Sequence, residues 1–219
     1  MAGTWPAAIL WDMDGTLVDT EPYWFDAEFA LVAAHGGRWS DAHAHSLVGQ
    51  DLLASAAYIR THGPVPLEPR EIVHALLDDV VSRVREHVPW RPGAPELLAE
   101  QRAAGIPAAL VTMSWRSLAD TLVAALPDRT FAAVVTGDEV DRGKPDPEAY
   151  LLAARQLGLQ PGDCLAIEDS VPGTASARAA GVPVLAVPLM TPLAPAPGQV
   201  LVESLAGLDL EALRTLFGR

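Results

Sequence analysis

The sequence predicts an α/β protein: a Rossmann-like parallel sheet core with helices on both faces and an inserted all-helical segment. Three observations carry this expectation. From about residue 94 onward, helix-like and strand-like stretches take turns; residues 21 to 88 carry helical patterning without a strand; and polar residues follow directly on several short apolar runs. Alternation of strand and helix is the mark of parallel strands joined by helical crossovers, which cover the sheet on both sides.

The first apolar run, Ala7 to Trp11, ends at Asp12, as a parallel strand buried on both faces does on reaching the edge of its layer. A polar turn follows, Asp14-Gly15-Thr16. Pro22 suits the first turn of a helix starting at Glu21; Trp24, Phe25, Phe29 and Val32 fit one apolar face, and Gly36-Gly37 closes the segment. Leu47 to Ile59 and Glu71 to Val88 read as further helices, separated by the Pro-rich stretch Gly63 to Pro69. After Pro89-Trp90-Arg91-Pro92 come helix Ala94 to Ala104, strand Ile106 to Thr112, helix Trp115 to Ala125 and strand Phe131 to Thr136. Helix Pro147 to Leu157, strand Cys164 to Glu168, helix Pro172 to Ala180 and strand Val182 to Val187 continue the rhythm. Gly105, Gly158 and Gly181 stand where left-handed helix C-caps are expected. The Pro-rich Pro188 to Pro197 is an irregular connection before Val200 to Ser204 and a final helix, Leu208 to Phe217. The expected division is 1–19 plus 91–219 as the core and 20–90 as the helical domain.

The formal charge is −13 and the pI about 4.7, so nucleic acid and anionic membranes are not expected partners. An anionic substrate would need local positive charge from a metal or a placed base. Cys164 is the single cysteine, which excludes an intrachain disulfide and a thiolate metal cluster. The start, Met1-Ala-Gly-Thr-Trp-Pro, lacks the pattern of a signal peptide, and no apolar run nears the roughly 20 residues that span a bilayer, so a cytoplasmic location is expected. Fourteen of the fifteen basic residues are arginine, and the one lysine is Lys144. There is no asparagine. Coding bias accounts for both facts, yet the one lysine falls in a segment rich in chemistry.

In open parallel sheets, ligands bind beyond the carboxyl ends of the strands. Four such places are polar: Asp12-Met-Asp14-Gly15-Thr16, Thr112-Met-Ser114, the region Lys144-Pro-Asp-Pro147, and Glu168-Asp169-Ser170 followed by Gly173. Asp12 and Asp14 from one tip and Glu168 and Asp169 from another crowd like charges, which a hard divalent cation with oxygen ligands relieves. Magnesium suits such a set. Asp138 reads as a helix cap. His43 and His45 lack a third ligand nearby in sequence and read as exposed residues of the helical segment.

The run Asp12-Met-Asp-Gly-Thr-Leu-Val-Asp19, with Thr112, Lys144-Pro145 and Glu168-Asp169-Ser170, resembles the four motifs of the haloacid dehalogenase-like hydrolase superfamily. Order and spacing match from residue 7 to about 190, and the helical insertion resembles the helical cap of the β-phosphoglucomutase and phosphoglycolate phosphatase branch. The resemblance implies a magnesium-dependent phosphatase acting on a small phosphorylated metabolite, as a monomer or homodimer. It implies that Asp12 attacks phosphorus to form an aspartyl-phosphate, and that Asp14 protonates the leaving alcohol, later activates water and lends its carbonyl to the metal. It further implies that Thr112 bonds a phosphoryl oxygen, that Lys144 neutralises charge, that Asp169 ligates magnesium, and that Glu168 lies near it. Ser114, Gln50 and Trp24 are the expected substrate contacts. A cap that closes through hinges near Asp19 to Pro22 and Val88 to Pro92 is also implied.

Departures from the superfamily's patterns sort its chemistries. Asp14 is kept, which argues against dehalogenation, and the insertion holds no lysine for the Schiff base of phosphonate cleavage. A phosphomutase is the alternative reading. Against it, Trp24 stands where the mutase pattern has histidine, and Gly49 is followed by Gln50-Asp51-Leu52 in place of bases that would grip a second phosphate. Met113 stands where relatives carry Asn or Gly beside the threonine, which removes a side-chain donor. A non-catalytic binding module would have lost one of Asp12, Asp14, Lys144 or Asp169; all four are present.

Overall fold

The computed structural model describes residues 5–218. Six parallel strands form its sheet: β1 (Ala8–Trp11), β2 (Ala108–Val111), β3 (Ala133–Val135), β4 (Cys164–Glu168), β5 (Val184–Ala186) and β6 (Gln199–Leu201), in the spatial order β3-β2-β1-β4-β5-β6. The chain builds outward from β1 to β3 on one side, then crosses back and builds from β4 to β6 on the other. β1 and β4 are therefore neighbours at the point where the winding reverses, the place where such sheets open a crevice. Trp11 stands beside Ile167 in this pair, and the Asp12 N–H donates to the Ile167 carbonyl at 3.0 Å.

Side chains alternate across β1 and set the two faces. Ile9 and Trp11 face one apolar layer, under α5 (Ala94–Ala103), α6 (Arg116–Ala124) and α9 (Leu210–Leu216). Ala8 and Leu10 face the other, under α7 (Glu148–Leu157) and α8 (Val171–Ala179). Trp11 is fully buried, and its indole N–H donates to the buried Gln101 side chain at 2.7 Å; Gln101 in turn donates to the Pro107 carbonyl at 2.8 Å. Each buried polar atom of this chain of bonds has a partner, as low-dielectric surroundings require. Asp138 accepts from the Arg116 N–H at 3.0 Å, so it caps α6 from across the loop and does not cap a helix of its own. The segment after the Pro-rich connection adds β6 as the sheet's outer strand.

Between β1 and α5 the described residues form four helices and no strand: α1 (Glu21–Ala34), α2 (Asp41–His45), α3 (Leu52–His62) and α4 (Pro69–Glu86). α4 turns Val73, Leu76, Leu77, Val80 and Val84 inward and lies against α1, α3 and α6. Three details differ from the sequence expectation. α3 starts at Leu52 and not near Leu47, because Gly49 takes a positive φ of 72° and Asp51 accepts from the N–H groups of Leu53 and Ala54 at 2.9 and 3.0 Å. α2, started by Ser40 accepting from the His43 N–H, was too short to leave a period in the sequence. Phe25 and Phe29 are only half-buried; Ala27 and Glu28 share the buried face with Trp24 and Val32, while Phe25 lies against the His45 ring at 5.0 Å. Both ends of the helical segment run side by side: the Asp19 N–H donates to the Pro89 carbonyl at 2.8 Å, the Arg91 N–H to Leu17 at 3.0 Å, and Val18 bridges Trp90. No helix among the described residues is long and apolar enough to cross a membrane.

Glu28 gives this helical segment a pH response. It is 5% exposed and accepts from the Trp39 indole N–H at 2.9 Å. Burial pushes its pKa up from 4.5 to about 7, against the opposing effect of the Trp39 bond. The folded protein thus holds a proton that the unfolded chain releases at lower pH, so the Glu28 contribution weakens stability as pH rises from about 4.5 to about 7 and is constant above. At ~1.4 kcal/mol per unit of displacement the change is at most about 3 kcal/mol. Denaturant melts at pH 5 and pH 7.5 are expected to show Glu28→Gln gaining stability relative to the parent at the higher pH. An unchanged difference between the two proteins refutes this.

Candidate active site

The adjacency of β1 and β4 places Asp12, just past one strand, beside Glu168 and Asp169, at the tip of the other. All three are buried, and an oxygen from each lies within 4.8 Å of the others. Lys144 enters from the loop before α7. Its Nζ donates to Asp12 Oδ1 at 2.6 Å, to Glu168 Oε1 at 2.6 Å and to the Val111 carbonyl at 2.9 Å, so all three ammonium hydrogens are engaged. Burial alone would lower the Lys144 pKa, but the two carboxylates outweigh it and hold the group protonated. Tyr150, fully buried on α7, donates to Glu168 Oε1 at 2.7 Å, and the Ser170 hydroxyl donates to Oε2 at 3.2 Å. Both oxygens of Glu168 are thereby held.

Asp12 differs. Its Oδ1 is held by Lys144, while its buried Oδ2 has no hydrogen-bond partner among the described residues. Burial, with Glu168 and Asp14 adding and Lys144 opposing, raises its pKa from 3.8 to about 7. Asp169 is likewise pushed up, first by burial and then by Asp12 and Glu168. Two buried, repelling carboxylates with a free oxygen between them form a donor set that suits a hard cation. Among the described residues this is the one cluster of three or more His, Cys, Asp or Glu placed to hold an ion; His43 instead stacks on Trp39 at 4.7 Å. Two glycines keep the acids close. A Cβ at Gly15, whose φ is +87°, would collide with the Asp169 carboxylate, and one at Gly173 would collide with that of Glu168.

The Asp14 carboxylate is not in this cluster, and the expectation of metal contact there concerns its carbonyl. Thr20 donates to its Oδ1 at 2.6 Å; Ser114 and Thr112 donate to its Oδ2 at 2.7 and 3.2 Å. Thr112 also accepts from the Ser114 N–H at 2.9 Å. Met113 packs beneath the lysine loop, where its Sδ accepts from the Lys144 N–H at 3.2 Å. A cavity of about 90 Å³ joins these groups to the helical segment, and every sequence-nominated residue except Glu168 lines it: Asp12, Asp14, Trp24, Gln50, Thr112, Ser114, Lys144 and Asp169. Glu168 lies behind it. Sequence reasoning missed Thr20, Glu21 and Tyr150. Glu21 lines the cavity, and burial, then Asp14, Glu28, Asp19 and Asp12, raise its pKa to about 8. The sequence signal for Glu21 was its place one residue past the first motif. Tyr150 had none, since an aromatic on an apolar helix face reads as core.

A doubly wound sheet whose switch point holds a nucleophile-grade carboxylate, a captive ammonium and an acidic pair defines a phosphoryl-transfer type of α/β hydrolase site. Residues 6–181 match the haloacid dehalogenase-like hydrolase family, and the chain belongs to it. It is a hydrolytic enzyme. It is 32% identical over 83% of its length to the Arabidopsis thaliana bifunctional riboflavin kinase/FMN phosphatase, spanning about half (48%) of that protein. It is 36% identical to hexitol phosphatase A of Escherichia coli K12, over 81% of each chain. Among solved structures it superposes on CbbY of Rhodobacter sphaeroides bound to xylulose-(1,5)bisphosphate, with a TM-score of 0.86, 31% identity and coverage of 94% and 98%.

Proposed function

We propose that this chain hydrolyses a small phosphate monoester, with a phosphorylated sugar or related polyol as the substrate class, through a phospho-aspartate on Asp12. The observation that carries the reading is the asymmetry of Asp12: one oxygen anchored by Lys144, the other buried and free beside Asp169. The phosphatase names of the Arabidopsis and Escherichia coli relatives support it.

Asp12 Oδ2 bonds to phosphorus as the bond to the leaving oxygen breaks, and Asp14 delivers its proton to that oxygen. In the second half Asp14 takes a proton from water as the water oxygen bonds to phosphorus and the bond to Asp12 breaks. Inorganic phosphate leaves, and both aspartates return to their starting states. Thr20, Ser114 and Thr112 aim Asp14, while Lys144 offsets the charge Asp12 shares with the transferring group. Thr112 and Ser114 have lone pairs and hydroxyls to offer phosphoryl oxygens once substrate enters. Asp12 and Asp169, with the Asp14 carbonyl and Glu168 close by, would hold magnesium, which supplies positive charge to the phosphoryl oxygens. Residues 20–90 act as a cap on the core 1–19 plus 91–219, bending at the paired segments near Asp19 and Val88 to exclude bulk water.

With magnesium the purified protein is expected to release p-nitrophenol from p-nitrophenyl phosphate. Chelation is expected to cut the rate by about 100-fold or more, and added magnesium to restore it. Absence of metal-dependent release sinks the reading.

A further inference from the structure

We propose that the leaving group accepted by this site bears no second anionic group: the substrate is a monophosphate whose remainder is uncharged. This rests on the phosphatase reading and narrows its substrate class.

The case is one of charge placement. Around the cavity stand the acids Asp12, Asp14, Glu21 and Asp169 and a single cation, Lys144. That cation is spent, because its three hydrogens go to Asp12, Glu168 and the Val111 carbonyl. The helical segment faces the chemistry with Trp24, Val48, Gln50 and Leu52, so its contribution is apolar apart from one amide. None of the chain's arginines is among the lining residues, and there is no other lysine. The adjoining cavity shares Val48, Asp169 and Ser170 and runs past the exposed Val171 and Met190; it too lacks a basic side chain. A longer leaving group therefore meets no cation farther out.

A second phosphate carries roughly −1.5 to −2 charges at neutral pH. Brought into this cavity it would give up water for apolar surface, with Glu21 repelling it and no donor cation in return. Rejection by an unpaired buried charge is an effective source of specificity. An uncharged remainder suffers none of this: Trp24 and Leu52 cover its carbon skeleton, Gln50 both donates and accepts, and Glu21 accepts from a hydroxyl. The close superposition on a protein bound to xylulose-(1,5)bisphosphate therefore does not carry that ligand over. The same lack of a grip on a second phosphate disfavours a phosphomutase.

Calorimetric titration of the Asp12→Asn protein with magnesium tests the proposal separately from turnover. The probes are phenyl phosphate and hydroquinone bisphosphate, which share a ring and differ by one phosphate, with xylulose 1,5-bisphosphate as a third. Phenyl phosphate is expected to bind at least about 10-fold more tightly than either bisphosphate. Gln50→Arg in the same protein is expected to tighten bisphosphate binding about 10-fold while changing phenyl phosphate by less than about 3-fold. Equal or tighter binding of a bisphosphate, or no binding of phenyl phosphate, overturns the proposal. Failure of the phosphatase reading shows elsewhere, as lack of p-nitrophenyl phosphate turnover by the unmodified enzyme.

Discussion

Asp12→Asn is expected to lower turnover of p-nitrophenyl phosphate by about 10⁴-fold or more and also to raise the melting temperature of the metal-free protein. The first effect follows from removing the attacking oxygen; an amide is a poor nucleophile toward phosphorus, and remaining groups have nothing to transfer the phosphoryl to. The second follows from electrostatics. Burial and the Glu168 charge raise the pKa of Asp12 to about 7, so keeping it ionised costs folding free energy that grows as pH rises from about 4 to about 7. Asparagine keeps the shape, still offers an oxygen to Lys144, and removes the charge. At pH 7.5 a gain of about 1–2 kcal/mol is expected, or about 2–6 °C for a chain of this size. Scanning calorimetry with chelator reads the second effect and a phosphate-release assay the first. Retained activity ends the covalent mechanism, and a lower melting temperature contradicts the account of the acidic cluster.

Lys144→Met is expected to fail in both respects. It strands Asp12 and Glu168 as buried carboxylates without their counter-charge and leaves the Val111 carbonyl without its donor. Breaking a buried pair in this way typically costs 3–5 kcal/mol, so a large drop in denaturation midpoint is predicted. Activity should fall by about 10³-fold, the usual scale for losing a group that steadies developing charge. Lys144→Arg is not expected to rescue it, because a planar fork does not satisfy three acceptors arranged around one ammonium. Full activity of the arginine variant would show that only charge matters here. The two aspartate and lysine variants thus separate in sign of stability while agreeing in loss of activity.

Most of the frame was legible in the sequence because it rests on short-range signals. Ala8–Trp11, Ala108–Val111 and Cys164–Glu168 are apolar runs with polar residues at their ends, and only a sheet buried on both sides makes use of such runs. Asp12, Lys144 and Asp169 could be nominated because their residue types are costly unless they work together. What stayed hidden depends on where distant segments land. The hydroxyls that hold Asp14 come from positions 20, 112 and 114, and nothing in their own neighbourhoods marks them as its partners. Tyr150 belongs to an apolar helix face until the fold sets it over Glu168. Gly173 suggested only a turn, whereas its lack of a side chain gives the Glu168 carboxylate its room. The start of α3 was misjudged because the apolar spacing from Leu47 continues through Gly49, and the break there lies in backbone conformation.

Val18 and Trp90 face one another across a single antiparallel bridge, so the four-helix excursion departs from the sheet and rejoins it at one spot. The strands sense only that junction and not the length or makeup of what lies between. An exchange of this stretch for one from another member of the family requires two cuts a few ångströms apart and no rethreading. Selectivity can thus diverge on one side of the junction while the reacting groups on the other stay as they are.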